Sequence, residues 1–287
     1  MPEALSTAAS PRLVPEPGDI QQGYELPCEE RPVRGAPVRL FSFPHGNQNP
    51  ARTVVCLPGL GASGRSFAPL RPLSADWRLL LWTPTLQTPL THTPLQWNVA
   101  ALAHPDAGLP ERFALVGSSF GSLLSIAFAL EHPERLKALV LVSPVASVQR
   151  IRRGAVALST LVRMPKPFAY LFAPSVARVM GGRRLPPEGR SEIVREARRI
   201  TPLEMLRRLQ DILAADYLKA LERLRVPTLV VHGGRDLLVP LSYARDVTAR
   251  IPGARMELIR EASHLPYMSH TDAFNAFVGD FLSRHDT

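Results

Sequence analysis

Three side chains in this sequence could together produce a reactive hydroxyl. Ser119 stands at the centre of GSSFG, residues 117–121, which matches the pattern G-x-S-x-G. Asp236 ends the stretch "VVHGGRD", and His264 ends "REASH". A serine hydroxyl is a weak nucleophile near neutral pH, so it needs a base to take its proton and a carboxylate to orient that base. The residue types predict Ser119 as nucleophile, His264 as base and Asp236 as the orienting carboxylate.

These three residues can meet only if strands deliver them to the same edge of a sheet. The run "FALVG" precedes the serine motif, and residues 120–130 after it have the spacing of a buried helix. The carboxylate follows the buried run 228–233, and the histidine follows the run 255–259. Parallel strands end at a common edge, where open α/β sheets build their sites. The spacing therefore predicts that the three side chains converge there.

Short apolar runs alternate with helical patterns along most of the chain. Strands are predicted at residues 38–43, 53–57, 78–82, 113–117, 138–143, 228–233 and 255–259, and helices at 120–130, 241–251 and 273–282. This alternation is typical of an α/β fold with a mostly parallel, doubly wound sheet covered on both faces. Residues 1–36 are rich in proline and are predicted to form an extended or irregular leader.

The alternation stops for about eighty residues. Residues 145–225 contain helix formers with apolar positions three or four apart and no strand pattern of comparable quality. We expect a helical insertion that lies over the sheet ends as a lid, with the core formed by residues 37–144 and 226–287.

The order serine, aspartate, histidine on successive strand ends resembles the α/β-hydrolase superfamily, over roughly residues 38–284. The resemblance is to lidded serine esterases of that family. The segment "PGLGASGRSF" is similar to the loop that follows an early strand there and donates a backbone N–H to the oxyanion. The resemblance implies that Leu60 and Phe120 supply the two oxyanion N–H groups. Pro58, Ser118 and Ser122 depart from residues that are frequent in the family.

Aromatic and sulfur-containing side chains in the insertion are candidates for substrate contact. Met164, Phe168, Tyr170 and Phe172, together with Leu237 beside Asp236, are predicted to line an acyl pocket. The alternative is that the insertion residues hold the lid to the core, because lid helices need an apolar underside. Both roles can hold at once.

The net charge of +9 is concentrated in the insertion. Residues 150–225 contain 17 Lys and Arg against 7 Asp and Glu. This excess predicts an acidic partner, which could be a carboxylate-bearing substrate, an acyl carrier protein or an anionic lipid surface. A solvated basic face is the alternative. Nucleic acid is not expected, since no recognised binding module occurs.

Several other titratable residues are expected to have ordinary structural roles. His232 lies close before Asp236 and has a structural role in the resembled family, whereas His270 is expected to cap or pack the last helix. Asp211 and Asp216, in the insertion, are predicted to be solvated charges. The two cysteines are too few for a disulfide framework or a zinc site.

The function predicted from these residues is hydrolysis of a carboxylic ester or thioester through an acyl-enzyme, on a small-molecule or carrier-bound substrate. "SHLPYMSH" and the lid also resemble, more weakly, esterases that remove methyl esters from carrier-bound acyl chains. An acyltransferase, a non-catalytic binding protein and a carrier-protein interaction module are the alternatives. No cofactor, metal or transmembrane segment is expected. The first twenty residues lack the apolar region of a secretory signal, which predicts a cytoplasmic location.

Overall fold

One mixed sheet organises the chain in the computed structural model, which describes residues 12–13, 24, 26–148 and 175–286. Within these residues the sheet has nine strands: β1 Arg12–Leu13, β2 Cys28–Val33, β3 Ala36–Ser42, β4 Thr53–Leu57, β5 Arg78–Thr83, β6 Phe113–Ser118, β7 Leu136–Val142, β8 Thr228–Gly233 and β9 Arg255–Ile259.

The strand order is β1-β2-β3-β5-β4-β6-β7-β8-β9. Every pairing from β5 to β9 is parallel, and β1, β2 and β3 add an antiparallel margin. Strands β4, β6 and β8 are buried along their whole length, which is typical of strands covered on both faces. The predicted α/β class with a mostly parallel sheet is confirmed.

The hairpin of β2 and β3 begins inside the segment assigned to the leader. Residues 28–33 pair in register with β3, and Pro32 lies opposite Pro37. The burial of β2 explains why no strand was predicted there: only its two end residues are buried, and charged residues and a proline occupy the positions between. The sheet therefore starts before residue 36.

Helices cover both faces of the sheet. In the described residues the α-helices are α1 Pro94–Ala103, α2 Phe120–Glu131, α3 Pro187–Arg199, α4 Pro202–Ala214, α5 Leu241–Arg250, α6 Pro266–Ser269 and α7 Thr271–Ser283, with a further helical stretch at 175–181. One apolar core lies between the sheet and helices α1, α2 and α5, and a second lies beneath α6, α7 and the 3-10 segment Gly64–Ala75. None of the helices in the described ranges is long and apolar enough to cross a membrane.

The described part of the insertion between β7 and β8 is mostly helical. Its described part contains the stretch 175–181, α3, α4 and a short 3-10 turn at Ala220–Arg223, with one isolated bridge from Ser147 to Asp216. Helix α4 contacts α1 and α2 of the core. Its function as a lid stays a prediction.

Candidate active site

Ser119 occupies a sharp turn between β6 and α2. Its backbone angles are φ 53° and ψ −114°, in a region that residues with a side chain rarely adopt. The turn is held by hydrogen bonds at both ends, since the Ser119 N–H donates to Val142 O at 2.9 Å and the Ser119 carbonyl accepts from the N–H of Ser122 at 2.9 Å. The turn leaves Ser119 partly exposed between two buried neighbours.

The two glycines of the motif allow strand and helix to approach each other. A Cβ added to Gly117 would lie 2.2 Å from Ser125 Oγ, and one added to Gly121 would lie 2.1 Å from Leu57 O. Real Cβ atoms are essentially never found at such distances. The strand-turn-helix geometry around Ser119 therefore requires glycine two residues before and two residues after it.

The loop predicted to donate to an oxyanion lies against this turn. A Cβ on Gly59 would sit 3.4 Å from Ser119 Cβ and 4.0 Å from Ser119 Oγ, so the backbone beside Leu60 borders the serine. Phe120 is the first residue of α2, where N–H groups have no partner within the helix. The structure thus places both predicted donor residues next to Ser119.

Ser122 replaces a residue that is frequently glycine in the resembled family. Its hydroxyl donates to Ser119 O at 2.5 Å and accepts from the Val145 N–H at 3.1 Å. The substitution therefore adds a link between the turn and the chain leaving β7.

Asp236 and His264 form a buried pair at the ends of β8 and β9. Asp236 Oδ2 lies 2.8 Å from His264 Nδ1, and the side chains are 0% and 3% exposed. Asp236 Oδ1 accepts the backbone N–H groups of Leu238 and Val239, each at 2.9 Å. One carboxylate oxygen is thus fixed by the backbone and the other is directed at the imidazole.

The surroundings keep Asp236 ionised. Burial by itself raises the pKa of this carboxyl, but the charge and hydrogen bond of His264, the Val239 N–H and His232 together outweigh burial and hold the pKa below its usual value. An anionic Asp236 can accept the Nδ1–H of His264, and this leaves Nε2 as the ring nitrogen able to take a proton.

The glycine pair before Asp236 lets its loop approach the loop of His264. A Cβ on Gly233 would lie 2.0 Å from Ser263 O, and one on Gly234 would lie 2.5 Å from Arg260 O. Arg235 N–H donates to Ala262 O at 2.8 Å across the same contact. These backbone contacts set the separation of the carboxylate and the imidazole.

Ser143 is a site residue that the sequence analysis missed. It follows β7, has φ 45°, and is fully buried. Its N–H donates to Val231 O and its hydroxyl donates to His264 O, each at 3.0 Å. Because the preceding residue, Val142, accepts the Ser119 N–H, the end of β7 links the serine turn to the histidine loop. A serine after a buried strand carries no distinguishing sequence signal.

The helical stretch 175–181 also holds the histidine loop. Ser263 Oγ donates to Val179 O at 2.6 Å, and the Leu265 N–H donates to Met180 O at 3.0 Å. The two bonds flank His264 in sequence. The insertion thus supports the backbone of the predicted base.

Helix α4 packs on the two segments that contain the predicted oxyanion donors. Met205 Cε would be 3.1 Å from a Cβ on Gly61, and the Arg208 guanidinium lies 5.7 Å from the centre of the Phe120 ring. Arg208 is fully buried, with Nε 2.8 Å from Glu204 Oε1 and Nη2 2.7 Å from Thr85 O.

The prediction that Asp211 is a solvated charge is wrong. Asp211 is 6% exposed, and its Oδ2 accepts the Leu95 N–H in the first turn of α1 at 2.8 Å. A buried carboxylate is favourable at a helix N-terminus, where N–H groups lack partners. Asp216 is exposed, as expected.

Comparison with known proteins places this arrangement in a family. A family model described as alpha/beta hydrolase fold matches residues 106–271, more than half of the chain, and this match includes the serine, aspartate and histidine. The chain is an α/β-hydrolase. The predicted family resemblance is confirmed.

Curated relatives of this α/β-hydrolase include two groups. A protein called putative carbamate hydrolase RutD, from Caulobacter sp. (strain K31), is 31% identical over 264 residues, which cover 85% of this chain and 96% of that protein. A pimeloyl-[acyl-carrier protein] methyl ester esterase from Neisseria meningitidis serogroup B / serotype 15 (strain H44/76) is 26% identical over 175 residues, covering 58% of this chain and 68% of that protein.

Solved structures share the fold of this α/β-hydrolase. The esterase RhEst1 from Rhodococcus sp. ECU1013 superposes with a TM-score of 0.76 at 21% identity, covering 90% of this chain and 99% of that one. The esterase EaEST from Exiguobacterium antarcticum gives 0.77 at 16% identity, covering 88% and 98%.

Two further histidines of this α/β-hydrolase, His232 and His270, have structural surroundings. His232 is fully buried, with Nε2 3.1 Å from Val239 O and 3.9 Å from Asp236 Oδ2. Its pKa is lowered mainly by burial, and the negative charge of Asp236 only partly opposes this shift. His270 occupies the N-cap position of α7, but its side chain makes no capping hydrogen bond there and instead contacts Ser269 Oγ through Nδ1 at 3.0 Å.

The predicted substrate contacts are untested. Met164, Phe168, Tyr170 and Phe172 lie outside the described residues. Leu237 is 78% exposed beside Asp236, and its role in substrate binding stays a prediction.

Proposed function

We propose that this α/β-hydrolase is a serine hydrolase that cleaves a carboxylic ester or thioester through an acyl-enzyme. His264 Nε2 takes the proton of Ser119 Oγ as that oxygen attacks the substrate carbonyl. The imidazolium then gives the proton to the leaving alcohol or thiol, and a water activated by the same nitrogen releases the acid. Asp236 orients the ring, and the N–H groups of Leu60 and Phe120 receive the developing oxyanion.

The Asp236–His264 pair is the observation on which the proposal depends. A buried carboxylate that is fixed by two backbone N–H groups and is 2.8 Å from Nδ1 selects one imidazole tautomer. A fixed imidazole orientation and tautomer matter because a base that can flip or change tautomer takes up the serine proton poorly. A protein that only binds a ligand has no need for this pair at the same sheet edge as a strained serine.

Carbamate hydrolysis is a second candidate for the substrate class. The relative named putative carbamate hydrolase matches nearly all of its own length to this chain, whereas the methyl ester esterase matches about two thirds of its length. A carbamate carbonyl is attacked at the same carbon as an ester carbonyl, so the same residues serve both reactions.

The test of the nucleophile is labelling with a fluorophosphonate, which reacts with activated serines. We expect the wild-type protein to be labelled and Ser119→Ala to be inert. Ser118→Ala is the matched control, because it removes the adjacent hydroxyl, which is buried, and should still be labelled. An unlabelled wild-type protein would favour the non-catalytic binder, and loss of labelling in both variants would leave Ser119 without a special role.

A substrate panel then separates the remaining alternatives. We would compare p-nitrophenyl esters of increasing chain length, a p-nitrophenyl carbamate and a carrier-bound methyl ester, each with Ser119→Ala as blank. A higher kcat/KM for the esters supports the proposal, whereas a higher value for the carbamate favours the second candidate. Product formation on an added alcohol at the expense of free acid would identify an acyltransferase.

A further inference from the structure

Buried carboxylates form ion pairs with four arginines of the insertion and with two of the core. Glu192, Glu196 and Glu204 are each less than 5% exposed on the inner sides of α3 and α4. Their ion-pair partners are Arg65 and Arg195 for Glu192, Arg39, Arg195 and Arg199 for Glu196, and Arg207 and Arg208 for Glu204. These positive charges serve to fasten the insertion to the core and within itself.

Three other arginines surround a pocket on the outside of the insertion. Arg178, Arg183 and Arg190, with Gly182, line a pocket of about 120 Å³ between the stretch 175–181 and α3. All three are exposed, and among the described residues no carboxylate forms an ion pair with any of them. Three guanidinium groups around one small volume repel each other unless an anion lies between them.

The backbone around Gly182 has a defined conformation, which fixes the Cα positions of the pocket arginines. Gly182 has φ +74°, and its N–H donates to Arg178 O at 2.9 Å, which ends the helical stretch in a tight turn. Arg190 Nε and Nη2 donate to Leu185 O at 3.3 and 3.2 Å, so one side of the Arg190 guanidinium is anchored to the segment after the turn. The pocket is thus built on a defined turn and one oriented side chain.

We propose that this pocket binds a phosphate group. Guanidinium groups form paired, charge-assisted hydrogen bonds with tetrahedral oxyanions, and three of them are more than enough to offset the negative charge of one phosphate. The volume exceeds what a single water needs and admits one such group. The site is separate from Ser119, and its occupancy does not depend on the proposed hydrolysis.

The position of the pocket connects it to the predicted base. Residues 178 and 182 of the pocket bracket Val179 and Met180, whose carbonyls hold Ser263 and Leu265 on either side of His264. A Cβ on Gly182 would lie 3.1 Å from Ser263 Cβ. A phosphate that ties the arginines together therefore stiffens the turn that supports the histidine loop.

The test is direct measurement of phosphate binding by the full-length protein. Inorganic phosphate is titrated in a calorimeter at constant ionic strength, with wild type and Ser119→Ala in parallel. We expect saturable one-site binding with the same affinity in both proteins. Binding to Ser119→Ala separates this proposal from the proposed function, since that variant cannot hydrolyse a substrate. A heat that does not saturate would overturn the proposal.

A matched pair of double variants locates the binding. Arg178→Gln/Arg183→Gln removes two pocket charges, and Arg112→Gln/Arg223→Gln removes two exposed charges elsewhere. We expect at least about tenfold weaker phosphate binding in the pocket variant and unchanged binding in the control. Equal weakening in both would show a response to net charge alone and would contradict a site.

The source of the phosphate is distinguished by a second set of ligands. Tighter binding of a soluble phosphomonoester than of inorganic phosphate would indicate a phosphorylated small molecule or group. Comparable binding of both supports a site for the free ion. Arginine-dependent binding to phosphatidic acid vesicles without any binding of the soluble phosphates would overturn the proposal in favour of a membrane surface.

Discussion

At the scale of single residues, separate hydrogen bonds hold the individual polar atoms of the site in position. Asp236 uses one oxygen for the backbone and the other for His264, and Ser143 holds the carbonyl of His264. The backbone of Ser143 has φ 45°, which is energetically unfavourable for any residue other than glycine. A strained backbone conformation persists only where the surrounding structure holds it in place. At Ser143 this surrounding structure is the junction of the serine turn and the histidine loop.

Ser143 is expected to be a positioning residue. Ser143→Ala removes the hydrogen bond to His264 O, so the imidazole is less well aligned. We expect kcat for the best ester to fall about fivefold, the equivalent of one hydrogen bond, with little change in KM. Ser143→Gly also loses the bond but relieves the backbone strain, so its stability should exceed that of Ser143→Ala. An unchanged kcat in both variants would contradict the assigned role.

His232 is expected to make the stability of the protein depend on pH. Burial holds its folded-state pKa below the usual 6.5, despite Asp236. A group with a lowered folded-state pKa stabilises the fold above its unfolded-state pKa, and that contribution is lost as the pH falls through the folded-state value.

The measurement is the free energy of unfolding by urea at several pH values. We expect the wild type to lose stability as the pH falls below about 6.5, and His232→Gln to lose less over the same interval. Gln can still donate to Val239 O, so the comparison isolates protonation. Parallel curves for the two proteins would contradict the prediction.

At the scale of elements, close approach between backbones shapes the site. Gly121 lets α2 cross Leu57 at the end of β4, and Gly233 lets the end of β8 meet the histidine loop. These contacts are between backbones, so neither side can move aside without shifting a strand. The sheet edge is consequently a place where small residues are required by geometry.

Two glycine substitutions should therefore have different consequences. In Gly121→Ala the new methyl would lie 2.1 Å from a backbone oxygen, and we expect destabilisation of about 3 kcal/mol. In Gly59→Ala the nearest atom is Ser119 Cβ at 3.4 Å, so we expect near wild-type stability with slower labelling of Ser119. Thermal unfolding and fluorophosphonate labelling measure the two effects. Equal stability of the two variants would contradict this account.

At the scale of the whole molecule, buried charges join the insertion to the core. Glu204 on α4 accepts from Thr88 Oγ1 at 3.2 Å and pairs with Arg208, which donates in turn to Thr85 O. Asp211 binds the start of α1. Because these charged groups are buried away from water, removing one member of an ion pair leaves the other charge in the poorly solvating protein interior.

These buried ion pairs predict that removing the carboxylate of Glu204 strongly destabilises the fold. Glu204→Gln removes the ion-pair partner of the buried Arg208, and we expect the free energy of unfolding to fall by about 3 kcal/mol. Glu222→Gln is the control, since its ion pair with Arg250 is exposed and its loss should cost less than about 0.5 kcal/mol. Urea unfolding of both variants provides the comparison, and similar losses would show that the insertion is not held by buried charge.

Periodicity in the sequence was sufficient to predict the parallel core. Strands β4 to β9 lie within two residues of their predicted positions, because continuous apolar runs bounded by loop residues have few alternative structures in a chain of this kind. Strands β1 and β2 and helices α1 and α6 were missed. Strand β2 has consecutive charged residues and a proline between its two buried ends, and α1 starts from a Thr93 capping box in a region rich in proline and threonine.

The sequence by itself determined the fold class and the three candidate residues, since motif and strand order are local properties of the chain. Only the tertiary structure decided that Asp211 is buried, that Ser143 supports His264, and which arginines pair with buried carboxylates. Each of these facts depends on which residue lies opposite another across the fold. Charge, burial and hydrogen bonding are properties of pairs of groups, and distant pairs form only when the chain has folded.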